Sequence, residues 1–259
     1  MKMFPSIFIS HGSPQLCITQ YQSAKFLKKL PSSFKKPKYI IIISAHWITK
    51  NIKILSNPTP NIIYDFYGFP KELYEKKYPI KNHLIKVDEI IQKFNEKNIS
   101  ISRDDNHEGY DHGVWAPLSL MYPKADIPVI QISLPIYYSA TELIGIGEIL
   151  QSFRNEALII GSGTLTHNLR DSNWDINADI KDYAQEFRDW IVSKLECADI
   201  ESLCEFLLLA PRLTNNHPTL EHLLPLFITL GASINKKGKA LNNVFMYGNQ
   251  AMDCIIFEK

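Results

Sequence analysis

The chain has 259 residues, 45% of them hydrophobic, and a formal net charge of +1. That length and apolar content suit one α/β domain with a sizeable core, while the near-zero charge gives no electrostatic case for nucleic acid or an anionic membrane as partner. No run approaches the roughly 18 apolar residues of a membrane span, the N-terminus lacks the basic, apolar and cleavage segments of a secretion signal, and Cys17, Cys197, Cys204 and Cys254 show no metal-type pairing, so the expectation is a cytoplasmic protein with reduced thiols.

In chain order, the first element is a short apolar strand, Ile7-Phe8-Ile9, that stops on Ser10-His11-Gly12-Ser13-Pro14. Tyr21 to Leu30 reads as a helix ended by Pro31. A second buried strand, Tyr39 to Ile43, runs into Ser44-Ala45-His46-Trp47, and Ile52 to Leu55 forms a short extra strand. The segment Ile62 to Pro70 is aromatic and too irregular for helix or strand; it is either a loop over a crevice or a satellite hydrophobic cluster. Asn82 to Lys97 has helical spacing, Ile99 to Ser102 is a strand, and Asp111-His112-Gly113-Val114-Trp115 opens a helix through Met121. Ile127 to Leu134 is a strand, Thr141 to Arg154 a helix, and Ala157 to Gly163 a strand followed by His167. Helices over Ala178 to Cys197 and Ile200 to Leu209 follow, with Cys197 and Cys204 spaced to share a helix face. A further helix starts at about Leu220, and Val244 to Tyr247 and Cys254 to Phe257 close the chain as strands, antiparallel to their neighbours.

Continuous Ile/Val/Leu strands are those of a parallel sheet covered on both faces. Their alternation with helices predicts one α/β domain over residues 1–259, a three-layer α/β/α sandwich with a mostly parallel central sheet. Ligands bind outside the carboxyl ends of such strands. His11, His46 and His167 all follow strand ends, so they are expected to meet in one crevice. Histidine is the commonest metal ligand, and three protein ligands with open positions make a catalytic site.

The other histidines read differently. His83 is placed on the surface and His107 in a solvated loop. His112 has Asp111 beside it to orient its ring. His217 precedes Pro218 and reads as a helix cap. His222 lies off the apolar stripe of Leu220, Leu223, Leu224 and Phe227. Three readings stay open there: a surface His222, a His222 aimed into a polar site, or neighbouring Glu221 as a carboxylate ligand.

Taken together, Ser10-His11-Gly12-Ser13-Pro14, Ser44-Ala45-His46-Trp47, Tyr64-Asp65-Phe66-Tyr67-Gly68-Phe69-Pro70, Asp111 to Leu118, Gly161 to Leu169 and His217-Pro218-Thr219 through Leu226 resemble the 4,5-DOPA extradiol dioxygenase family, a branch of the class III ring-cleaving enzymes. The resemblance runs from about residue 5 to the C-terminus. It implies a non-haem Fe(II) site, with Zn(II) as a bound or competing metal. By motif, His11, His46 and His222 match metal ligands, and His167 matches a histidine beside the metal, as acid/base or as a further ligand. His112 matches a second active-site histidine. In the wider class the third ligand is a glutamate; here the matching position is His222, which leaves the site one negative charge short. The implied substrates are a small aromatic diol and O2. Asp65 and Arg170 are placed to read a charged group on the substrate. Two readings compete: a zinc-dependent hydrolase in the same crevice, and a non-catalytic binding protein on the same fold.

Overall fold

The computed structural model describes residues 3–258. Twelve strands appear in chain order: β1 Ser6–Ser10, β2 Tyr39–Thr49, β3 Lys53–Leu55, β4 Asn61–Ile62, β5 Ser102–Asp104, β6 Gly109–Tyr110, β7 Val129–Pro135, β8 Ala157–Gly163, β9 Lys239–Leu241, β10 Phe245–Met246, β11 Gln250–Ala251 and β12 Cys254–Phe257. Eight of them make one sheet in the order β5-β3-β7-β2-β8-β1-β12-β9. Its centre, β7-β2-β8-β1, is parallel, with β3 antiparallel to β7 and β12 antiparallel to β1. The mostly parallel α/β sheet expected from the alternation is therefore present.

The isoleucine runs are explained by two-sided burial. Side chains alternate across a strand. Ile41 and Ile43 of β2 join Phe8 and Ile159 in one core, under the helices Leu84–Glu96, Ala140–Leu150, Asp182–Cys197 and Pro225–Ala232. Ile40 and Ile42 join Ile7, Ile9, Leu158 and Ile160 in the other, under Gln22–Lys29 and His112–Met121.

Several elements differ from the expectations. β2 does not stop before His46 but runs on to Thr49. Its register on β7 shifts between Ile43 and Ile48, so Ser44 to Trp47 form a bulge. Bulges re-aim side chains beside active sites. The strand expected at Ile99 begins instead at Ser102. The helix over Ile200 to Leu209 breaks at Glu205. Ala198 turns left-handed at the end of the preceding helix, so Cys197 and Cys204 sit on separate helices rather than one face. Leu220 to Leu224 form turns, and the helix starts at Pro225. β10 pairs with β11 in a small separate ribbon, not with the main sheet.

The Pro225–Ala232 helix matters because His222 hangs from its N-terminal side. It packs on Ala140–Leu150 backbone against backbone. A Cβ built on Gly231 would lie 2.0 Å from the Ile144 carbonyl oxygen, and one on Gly147 would lie 2.0 Å from that of Ile228. Only glycine allows this approach. Gly231→Ala is expected to cost about 1–3 kcal/mol, as overpacking does, and to lower the melting temperature by several degrees on a thermal circular-dichroism scan. An unchanged melt would show that the two helices can part freely.

Candidate active site

The carboxyl ends of β1, β8 and β2 line up in register, Ser10 opposite Gly163 and Ser44 opposite Ser162. His11 follows β1 directly, on a chain that turns at Gly12 with φ +61°. His46 projects from the β2 bulge. His222 reaches the same point because the end of β8 carries no side chain: a Cβ on Gly163 would stand 2.0 Å from the His222 carbonyl oxygen, which accepts from Thr164 N at 3.0 Å. The ligating atoms of His11, His46 and His222 all lie within 4.8 Å of one another. His222 is buried, so of the three readings open for that position the surface one is excluded.

The hydrogen bonds fix how these rings are protonated. Pro117 sits inside the His112–Met121 helix and has no N–H for the carbonyl four residues back, that of Gly113. The freed Gly113 oxygen accepts from Ser162 Oγ. With its only proton so directed, Ser162 Oγ accepts from His11 Nδ1 at 2.9 Å. In the neutral ring, His11 Nε2 is then a bare lone pair. His222 Nδ1 lies 3.1 Å from Glu221 Oε1, and His46 Nδ1 lies 3.6 Å from Asp65 Oδ2. Each carboxylate favours N–H on Nδ1 and a lone pair on Nε2. His11 Nε2 and His46 Nε2 face each other at 3.1 Å. Two lone pairs at that distance repel unless a cation stands by both; without one, a proton on His46 Nε2 would be donated to His11 Nε2.

Burial reinforces this. It holds His11 and His222 well below the ordinary histidine value, with the neighbouring imidazoles adding to the effect, and it pushes His46 down as well. Neutral imidazole is the metal-binding form. Three neutral rings, those of His11 and His222 buried and that of His46 half-buried, hold their ligating atoms within 4.8 Å of one another and therefore fit a divalent transition metal held by nitrogen ligands.

Two more histidines flank the group. His112 is 4.0 Å from His46, centroid to centroid. His167 stacks on His222 at 3.5 Å with 11° between the planes. The ligating atom of His167 groups with those of Glu221 and His222, not with those of His11 and His46. Burial, opposed by the Glu221 carboxylate and helped by His46 and His112, brings His167 down to about 4.

The carboxylate beside His112 is not Asp111, as its sequence position suggested. Asp111 turns away, accepting from Ser44 Oγ at 2.6 Å and from Gln131 Nε2 at 2.6 Å. His112 is instead held by Asp65 Oδ1, which accepts from its backbone N at 3.1 Å and from Nδ1 at 2.9 Å. Asp65 arrives on the aromatic loop, where Phe66 also meets His112 edge-on at 5.8 Å. Arg170 lies exposed in the turn Leu169–Asp171. His217 is buried and donates from Nε2 to the Leu165 carbonyl at 2.9 Å, so it is more than a cap. His83 is half-buried against Tyr39 rather than on the surface, and His107 stacks on Trp47 at 4.1 Å rather than standing in solvent.

Residues 5–251 match the model of the LigB family, the catalytic LigB subunit of aromatic ring-opening dioxygenase. The chain belongs to this family. It is an extradiol dioxygenase by descent, 34% identical to the 4,5-DOPA dioxygenase extradiol of Beta vulgaris over 92% of this chain and 90% of that one. The Escherichia coli K12 protein of the same name is 31% identical over 88% of this chain and 84% of its own length. The crystal structure of an uncharacterized Escherichia coli K12 protein superposes with a TM-score of 0.80, covering 98% of this chain and 99% of that one at 24% identity, and so shares the fold.

Two predictions follow from the imidazole network. Ser162→Ala removes the acceptor on His11 Nδ1 and is expected to weaken Zn(II) binding by about 10–100-fold in a chelator-competition titration, the usual effect of losing a ligand's outer partner. His167 and His217 both stand at about 4, below the ~6.5 of an unfolded histidine. Between those values the unfolded chain binds more protons, so stability is full above pH ~6.5 and falls as the pH drops toward 4. Urea midpoints of the metal-free protein at pH 7.5 and 5 should differ in that direction.

Proposed function

We infer that this dioxygenase uses a divalent iron held by His11, His46 and His222 to open the ring of a catechol-type, DOPA-like substrate to a semialdehyde. The grouping of the His11, His46 and His222 ligating atoms within 4.8 Å of one another supports this reading. Bound Fe(II) would supply open positions for a catechol and for O2, and the electron transfer that a triplet oxidant requires; Zn(II) on the same ligands has no redox chemistry and is its competitor.

The chain's own residues do the rest. His167, neutral at pH 7, takes a proton from a catechol hydroxyl, help typically worth about 10²–10⁴-fold. Its separation from the His11 and His46 ligand atoms favours acid/base work over ligation. His112 has Nδ1 tied to Asp65, so its Nε2 accepts from the substrate in the neutral ring and donates to an oxygen-centred group once it carries the proton. Tyr64, Phe66 and Phe69, which pack on one another, are the candidate cover for the substrate ring. Arg170 is the candidate contact for a charged tail on the substrate. Residues 1–259 act as one catalytic unit. No helix among the described residues is long and apolar enough to cross a membrane, and Cys17, Cys197, Cys204 and Cys254 are free thiols, which supports a reducing, cytoplasmic setting.

The test is anaerobic loading of metal-free protein with Fe(II), then addition of L-DOPA or catechol and O2. Oxygen uptake with a new visible absorbance from the ring-opened product is expected with iron and absent with Zn(II), and His167→Ala should lower the rate about 10²–10⁴-fold. Silence with iron across a catechol panel, or equal turnover with zinc and without O2, would overturn the reading in favour of a hydrolase or a binding protein.

A further inference from the structure

Asp65 occupies a position that a substrate contact does not need. Its loop is pinned on both sides. β4 pairs with β6 in parallel, Ile63 N donates to the Tyr110 carbonyl at 2.7 Å, and Trp115 Nε1 donates to the Ile63 carbonyl at 2.9 Å. Phe66 packs among Phe69, Tyr74 and Trp115. Asp65 is an exposed residue of this loop, but its side chain is turned inward and 24% exposed. One oxygen takes both donors of His112, the backbone N–H and Nδ1–H; the other faces His46 Nδ1 at 3.6 Å.

Those contacts have three consequences. First, Asp65 caps the His112–Met121 helix from outside, because the residue at its cap position, Asp111, makes no side-chain cap bond. A carboxylate at a helix N-terminus is favoured by the exposed N–H groups and the dipole. Second, an ionised carboxylate only accepts. Oδ1 already accepts the backbone N–H of His112, so it faces the ring nitrogen as an acceptor too. Nδ1 of His112 must therefore carry its proton, which leaves Nε2 free toward the site. Third, the same charge favours Nδ1–H on His46 and so a lone pair on the Nε2 that meets His11.

We propose that Asp65 is a positioning residue: one carboxylate on the aromatic loop sets the tautomers of both His46 and His112, so that seating the loop assembles a metal ligand and an acid/base group together. The names of those two roles rest on the ring-opening reading; the tautomers themselves do not.

Asp65→Asn separates the two halves of the claim. The amide oxygen can still accept both His112 donors. The amide nitrogen would then face His46 Nδ1, donor toward donor, and push that ring to Nε2–H. Long-range ¹⁵N correlation spectra of the metal-free protein at pH 7.5 report the tautomer of each neutral histidine without any turnover. In the wild-type chain, His112 is expected as Nδ1–H, and so is His46, the Asp65 charge outweighing the hydrogen bond that an Nε2–H could donate to His11. In Asp65→Asn, His112 should stay Nδ1–H while His46 changes, and Zn(II) affinity should drop about 10–100-fold. In Asp65→Ala both rings should lose the Nδ1–H signature. With iron, kcat should fall more than KM rises in both variants. The proposal is overturned if both rings keep their wild-type tautomers in Asp65→Ala, or if KM for the catechol rises with tautomers and Zn(II) affinity unchanged, the pattern of a substrate contact. Altered tautomers in a chain that turns over no catechol would instead leave the proposal standing and remove the ring-opening reading.

Discussion

Everything at this site depends on where the imidazole protons sit. A histidine offers a metal one lone pair, and only when its other nitrogen keeps the N–H. Here each of the three grouped rings has an oxygen beside Nδ1: Ser162 for His11, Asp65 for His46 and Glu221 for His222. Burial removes the alternative of charging the rings. What remains is three lone pairs aimed at one another, an arrangement unfavourable by itself and favourable around a cation. Part of the chain's stability at the sheet crest is thus given over to ligand geometry.

The fold supplies these partners from distant segments, and its close contacts are there for that purpose. β8 lies between β1 and β2 and contributes Ser162 to one neighbour and the bare Gly163 to the backbone that carries His222. The β2 bulge lets His46 leave the strand's alternation. Pro117, a helix breaker in most contexts, frees the carbonyl that orients Ser162. Carboxylates from the loop and from Glu221 stand beside the Nδ1 atoms of His46 and His222. That arrangement bears on the charge lost where the wider class has a glutamate ligand.

Much of this was legible in the sequence. The Ile runs and their helical spacers gave the layered α/β sheet, because two-sided burial leaves an unambiguous pattern. The strand-end positions of His11 and His46 pointed to a shared crevice before any family was named. The failures have physical causes. His46 looked like a residue after a strand because a bulge has no signature in one-dimensional spacing. Asp111 looked like the partner of His112 because it is adjacent, yet chain neighbours at a helix start point to different sides. The contacts of Asp65 with His112 and His46 are not legible in one dimension, because they depend on the pairing of β4 with β6, two residues each. Ser162 carries no hint of its task in one dimension, since only the register of β1 on β8, Ile9 opposite Ser162, brings it beside His11. Pro117 was the signal that could have been used, a proline inside a buried helix whose orphaned carbonyl must be answered by some donor.

The central claim is that His11, His46 and His222 hold one divalent metal. Anaerobic titration of the metal-free chain with Co(II), followed through its visible absorption, tests it most directly. One ion per chain, with binding abolished or severely weakened in each of His11→Ala, His46→Ala and His222→Ala and retained in His112→Ala, is the result this account predicts. Undiminished binding after loss of His222 or His46 would contradict it.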